Sequence, residues 1–115
     1  MDTEEMIRRI LNGDPKIDIA IDKWKDIANR TGAELGPQNC ALCAKYIHLK
    51  CQGCPIFEST GVRYCLHTPY IEWDAHHKDA HFGELDTVQC PTCKEIADRE
   101  IAFLEKIRSD ISDMI

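Results

Sequence analysis

A chain of 115 residues, 43% of them hydrophobic and with a formal net charge of −6, has room for one domain whose core is modest enough for a bound metal to matter. The acidic balance disfavours a phosphate-binding surface, and with it nucleic acid, and fits a protein that meets other proteins. No apolar run approaches the roughly 20 residues of a membrane span, and Met1 to Glu5 is acidic where an export signal is apolar, so the expected location is the cytoplasm.

In chain order the sequence predicts a single domain over 1–115: a helical front at 1–32, a cysteine-rich region at 40–93 and a C-terminal helix at 91–113. Asp2-Thr3-Glu4-Glu5 reads as a helix start, and Met6, Ile7, Ile10 and Leu11 form one apolar face up to Gly13. Asp14 is then placed as N-cap of a second helix with Pro15 at its first position. Ile17, Ala20, Ile21, Trp24, Ile27 and Ala28 follow at helical spacing until Gly32, and Trp24 belongs to this core stripe rather than to a cofactor site. Thr31 to Asn39 is turn-rich, and residues 40–69 hold no long periodic element. Thr68-Pro69 opens a short helix through Tyr70, Trp73 and His76 or His77, which Gly83 and Asp86 interrupt. The last helix carries Ile96, Ala97, Ile101, Leu104, Ile107 and Ile111 on one side and charge on the other. The expected fold class is therefore mainly α: a small zinc-stabilised helical domain in which the second and last helices pack together. Irregular Cys-rich loops, shaped as zinc-knuckle turns, lie between the N- and C-terminal helices.

Six of seven cysteines fall into Cys-x-x-Cys pairs: Cys40/Cys43, Cys51/Cys54 and Cys90/Cys93, with Cys65 between the last two pairs. Two intervening residues let a tight turn bring both thiolates to about 2.3 Å from one zinc ion. Prolines at Cys54-Pro55 and Cys90-Pro91, and Gly53 inside the second turn, strengthen that reading. A disulfide framework suits an odd cysteine count poorly, and in a reducing compartment the spacing points to metal. Redox chemistry of the thioredoxin kind needs a βαβ setting that is absent from the pattern. An iron–sulfur cluster stays open, because cysteine ligands alone do not separate it from zinc.

Cys40-x-x-Cys43, Cys51-Gln-Gly-Cys54-Pro55, Thr60-Gly61, Cys65-x-x-Thr68-Pro69-Tyr70, Trp73, Cys90-Pro91-x-Cys93 and the helix Glu100–Leu104 together form an ordered signature. In these features the chain resembles a family of small Cys-rich proteins of phages, prophages and archaeal mobile elements. The resemblance covers about two-thirds of the chain and implies that origin and metal binding, without an activity.

Seven thiolates and one histidine supply two tetrahedral zinc ions. Sequential, crossed and nested pairings of the ligands are all open. The nested one is favoured, with Cys40, Cys43, Cys90 and Cys93 on one ion, because it brings the helical ends together. Cys51, Cys54, Cys65 and His76 then hold the other. His76 is chosen for its place on the Thr68-Pro69 helix and because the resembling sequences carry a histidine nearby. His77 is close behind, and forms an i, i+4 pair with His81; His67 and His48 are weaker candidates.

Closed, thiolate-rich sites usually serve folding rather than catalysis, which favours a non-enzymatic interaction module. Its partner would be another protein, and the phage-type resemblance suggests a host defence or transcription enzyme, inhibited or modulated. The length of the last apolar stripe also suggests a homodimer through the C-terminal helix. Two other classes fit less well. Asp74-Ala75-His76-His77 before Cys90-x-x-Cys93 has the order of a zinc-bound HNH nuclease, but Lys94 stands where a further histidine or asparagine belongs. A zinc-finger regulator would use Cys51, Cys54, His77 and His81, yet these pairs are too far apart and no basic recognition helix follows. Tyr46, Tyr70 and Trp73 read as shields of the metal sites. No Gly-rich phosphate loop, Ser/His/Asp set or acid pair supports catalysis.

Overall fold

The computed structural model describes residues 1–33, 40–46, 49–50, 52–61, 68–80 and 87–113. Among these residues the chain is mainly helical and contains no strand. The elements are α1 (Thr3–Leu11), α2 (Lys16–Ala28), α3 (Ala41–Tyr46), α4 (Pro55–Thr60), α5 (Pro69–Ala80) and α6 (Pro91–Asp113).

Helix α1 starts where the sequence places it. The Glu5 amide donates to Asp2 Oδ1 at 2.8 Å, and acidic Glu4 and Glu5 in the first turn with basic Arg8 and Arg9 in the last oppose the helix dipole favourably. Only part of its apolar face goes inward. Met6 is buried with Met1, Ile19 and Ala41, and Ile10 packs beside them, whereas Ile7 and Leu11 stay 47% and 82% exposed.

The expected cap of α2 is not the one formed. Helix α2 begins at Lys16 with Pro15 in the capping position and no side-chain cap, because the Asp14 carboxylate is taken by Arg9 Nε at 2.7 Å. Arg9 Nη1 also donates to Asp22 Oδ2 at 2.7 Å, so one guanidinium ties α1, the connecting turn and α2 together. The helix ends at Ala28, ahead of Gly32, and Arg30 adopts the left-handed conformation with φ 64°. Gly32 is needed for a different reason: a Cβ there would lie 3.0 Å from both Asp26 Cβ and Met1 N.

The main packing is α2 against α6, followed by α5 against α6, as the two long stripes require. Ile21, Trp24, Ile27 and Ala28 of α2 share a core with Trp73 of α5 and with Cys93, Ile96, Ala97, Leu104 and Ile107 of α6. The α6 set recurs every three or four residues, which keeps it on one helical face. At the centre Trp24 meets Trp73 edge-on, with ring centroids 5.2 Å apart and planes at 89°, and Tyr70 meets Trp24 at 6.5 Å. Such edge-to-face pairs add about 0.5–1.5 kcal/mol to the area they bury. Lys23, although buried, lays its ammonium 5.5 Å from the Trp24 ring centroid. Arg99 of α6 pairs with Glu72 of α5 at the surface.

Three cysteines mark helix starts. Cys40 immediately precedes α3, Cys54 caps α4, and Cys90 immediately precedes α6. The Cys-rich middle therefore contains two six-residue helices, α3 and α4, that are too short to announce themselves by periodicity. No helix among the described residues is long and apolar enough to cross a membrane.

Candidate metal centre

Helix α5 runs against α6, and its later half lies beside the turn that opens α6. Two consecutive histidines in α5 consequently face different ways, their rings perpendicular at 89° with centroids 5.7 Å apart. His76 points toward the Cys90-Pro91-Thr92-Cys93 turn, while His77 points into the core.

His76 Nε2 lies 3.2 Å from Cys90 Sγ, and Cys90 Sγ lies 3.5 Å from Cys93 Sγ. All three ligand atoms are within 4.8 Å of one another. A tetrahedral zinc ion with bonds of about 2.3 Å to sulfur and about 2.0–2.1 Å to nitrogen sets ligand edges of about 3.8 Å between sulfurs and about 3.6 Å between sulfur and nitrogen. The two edges that meet at Cys90 are a few tenths of an ångström shorter, so an ion there needs the cluster to open at Cys90. A disulfide would require the sulfurs at about 2.05 Å; none of Cys40, Cys54, Cys90 and Cys93 is disulfide-bonded. Cys90 is half-buried and Cys93 has 0% exposure. Burial pushes the Cys93 thiol above its ordinary pKa and the Cys90 side chain adds to this, against the opposing effect of hydrogen bonds from the Gln89 and Cys90 backbones. A metal ion at this spot would reverse the preference, since a coordinating thiol is deprotonated.

His77 is 1% exposed and is held by the main chain. Its Nδ1 lies 2.9 Å from the Trp73 carbonyl oxygen one turn back, and its Nε2 lies 2.8 Å from the Thr87 carbonyl oxygen. The ring stacks at a tilt on Trp73, centroids 4.2 Å apart, and Nε2 comes within 3.7 Å of Cys93 Sγ. Both nitrogens lie at hydrogen-bond distance from carbonyl oxygens, and a neutral ring donates its single N–H to one of them. Of the two histidines, His76 is the one grouped with both thiols, and it is also the one the sequence favours as a candidate ligand. The role of His77 was not expected, although the four-residue step from Trp73 to His77 puts both on one helical face.

The nested pairing groups His76 with Cys51, Cys54 and Cys65, whereas α5 brings His76 to Cys90 and Cys93. Cys51, Cys65, His48, His67 and His81, and the side chain of Cys43, lie outside the described residues. Cys40 is half-buried and Cys54 buried, and both belong to the main core. Gly53 brings the turn before α4 against α3, where a Cβ would meet the Tyr46 ring at 3.3 Å; its φ of +88° also favours glycine. The turn carrying Cys54 thus packs on the helix carrying Cys43. Of the three aromatic residues read as shields, Trp73 stacks on His77 beside the thiols, Tyr70 packs against Trp24, and Tyr46 covers Gly53.

Comparison with family models, with curated proteins and with solved structures finds no match to this chain.

Proposed function

We propose that the chain is a zinc-stabilised, non-enzymatic helical module that acts by binding another protein. The observation that carries the metal part is the meeting of His76 Nε2, Cys90 Sγ and Cys93 Sγ within 4.8 Å, two thiolates and an imidazole being a borderline-soft donor set suited to zinc. Two ions are proposed. Cys40, Cys43, Cys51 and Cys54 supply four thiolates for one, which leaves Cys65 as the thiol available to complete His76, Cys90 and Cys93. The packing of the Cys54 turn on α3 supports this sequential pairing over the nested one.

In the non-enzymatic reading Cys65 completes the set of His76, Cys90 and Cys93, and a closed, thiolate-rich shell of that kind quenches Lewis acidity and leaves no water position. In the Asp74-Ala75-His76-His77 string, Asp74 pairs with Lys78 at 2.9 Å, His76 faces thiols and His77 faces carbonyls, an arrangement without a general base poised for water. Binding to protein is supported by the acidic charge and by exposed Ile7, Leu11 and Leu49. The resemblance to phage and mobile-element proteins supports a cytoplasmic partner in a host cell, such as a defence or transcription enzyme. A homodimer through α6 would use its outer face, since Ile96, Ala97, Leu104 and Ile107 are buried within the chain.

Elemental analysis of protein purified without added metal tests the reading. Two zinc ions per chain are expected. Stoichiometric iron with a visible chromophore would overturn it in favour of redox chemistry.

A further inference from the structure

One buried side chain is tied into this centre through contacts with the main chain. His77 connects three parts of the fold: the Trp73 carbonyl of its own helix at 2.9 Å, the Thr87 carbonyl of the segment leading into Cys90 at 2.8 Å, and the Cys93 sulfur at 3.7 Å. Its ring is fixed from the side by the Trp73 stack at 4.2 Å. Cys93 itself cannot reach solvent, so a thiolate there has to be stabilised by the ion and by neighbouring donors.

We infer that His77 is the positioning residue of the metal centre. The inference rests on the metal reading above and adds a residue to it. An N–H at Nε2, given to Thr87 O with Cys93 Sγ as a second and longer acceptor, sets the distance between α5 and the start of α6. The same ring keeps the buried sulfur aimed at the place where His76 and Cys90 converge. The three ligands then meet a thiophilic divalent cation with only the opening at Cys90. Groups that orient ligands in this way typically account for about 10–100-fold in metal affinity.

The test compares zinc affinity, by competition with a chromophoric chelator, and cobalt(II) absorption spectra in the wild type, His77→Phe, His77→Gln and His76→Phe. His77→Phe is expected to bind zinc about 10–100-fold more weakly while keeping the wild-type thiolate-to-cobalt spectrum, because the ligand set is intact. His77→Gln, whose amide reaches the Nε2 position, is expected to recover part of the affinity. His76→Phe removes a ligand and should change the spectrum. Unchanged affinity in His77→Phe overturns the inference, and so does a spectral change matching that of His76→Phe, which would make His77 a ligand. Should His77→Phe not fold, His77→Gln and His77→Asn decide, since the asparagine amide reaches only the Nδ1 side; equal affinities overturn it. A wild-type protein that binds neither ion defeats the metal reading itself, a result distinct from a metal-binding protein indifferent to residue 77.

Discussion

His76 Nε2 lies 3.2 Å from Cys90 Sγ, which makes the later half of α5 and the opening turn of α6 one chemical unit. The same α6 provides the long face on which α2 packs. A metal ion held by His76, Cys90 and Cys93 would therefore fix the end of the helix that organises the core, and metal affinity would appear as folding stability.

Cys93→Ser is the direct test of that coupling. Cys93 has 0% exposure and shares its core with Ile96 and Ala97. The variant is expected to lose one metal ion per chain and to unfold at a lower temperature. The loss should exceed the about 2–5 kcal/mol of truncating a buried aliphatic side chain, since the binding energy of the ion is lost as well. Thermal unfolding with and without chelator checks this: chelator should destabilise the wild type strongly and the variant little.

The long stripes of α2 and α6 were legible in the sequence because each spans several turns, enough for the 3.6-residue period to stand out. Their mutual packing followed from the same pattern. Helices α3 and α4 escaped it, since six residues give fewer than two turns. That Cys90 and Cys93 lie together was legible from their Cys-x-x-Cys spacing, but that His76 meets them was not. That depends on how α5 lies on α6, and two adjacent histidines in one helix point about 100° apart whatever their sequence context. The cap of α2 failed for a local reason: Asp14 had a competing partner in Arg9, five residues earlier, that capping rules do not weigh.

Trp73 presents a separate test of the core. Its Nε1 is buried and has no hydrogen-bond partner among the described residues, while its ring contacts Trp24 and His77. Leaving a buried donor unsatisfied costs about 1–3 kcal/mol. Trp73→Phe removes that donor along with some apolar area, so its net effect should be a small fraction of the about 3–5 kcal/mol expected for Trp73→Ala. Urea unfolding of both variants decides the point; equal losses would mean that the indole nitrogen is satisfied after all.

The exposed face of α1 should be dispensable for folding and needed for contact. Replacing Ile7 and Leu11 together by serine is expected to change stability by no more than about 0.5 kcal/mol per site, given their exposure of 47% and 82%. Met6→Ala, one position away and buried, should cost about 2–5 kcal/mol. Denaturant titration separates the two. If the double serine variant unfolds as easily as Met6→Ala, that face is packed rather than open to a partner.

Acid should weaken the junction of α1 and α2 through Asp14. The hydrogen bond from Arg9 holds the Asp14 carboxyl below its ordinary value, Asn12 assists, and partial desolvation opposes the shift. A depressed folded-state pKa means that the carboxylate contributes stability above its unfolded pKa, near 4, and that this contribution fades as pH falls through the lower folded value. Arg9 stays charged throughout this range, so the change comes from the carboxylate alone. The unfolding temperatures of wild type and Asp14→Asn should therefore differ by a constant amount near neutral pH and converge below about pH 4. Protonation of the proposed metal ligands would also destabilise the protein in acid, but it would affect both proteins alike and cancel in the difference. Arg9→Lys should resemble Asp14→Asn at neutral pH, because an ammonium cannot reproduce the fork that reaches Asp14 and Asp22 together. A gap between wild type and Asp14→Asn that persists undiminished at pH 2–3 would show that the contact acts through packing rather than charge.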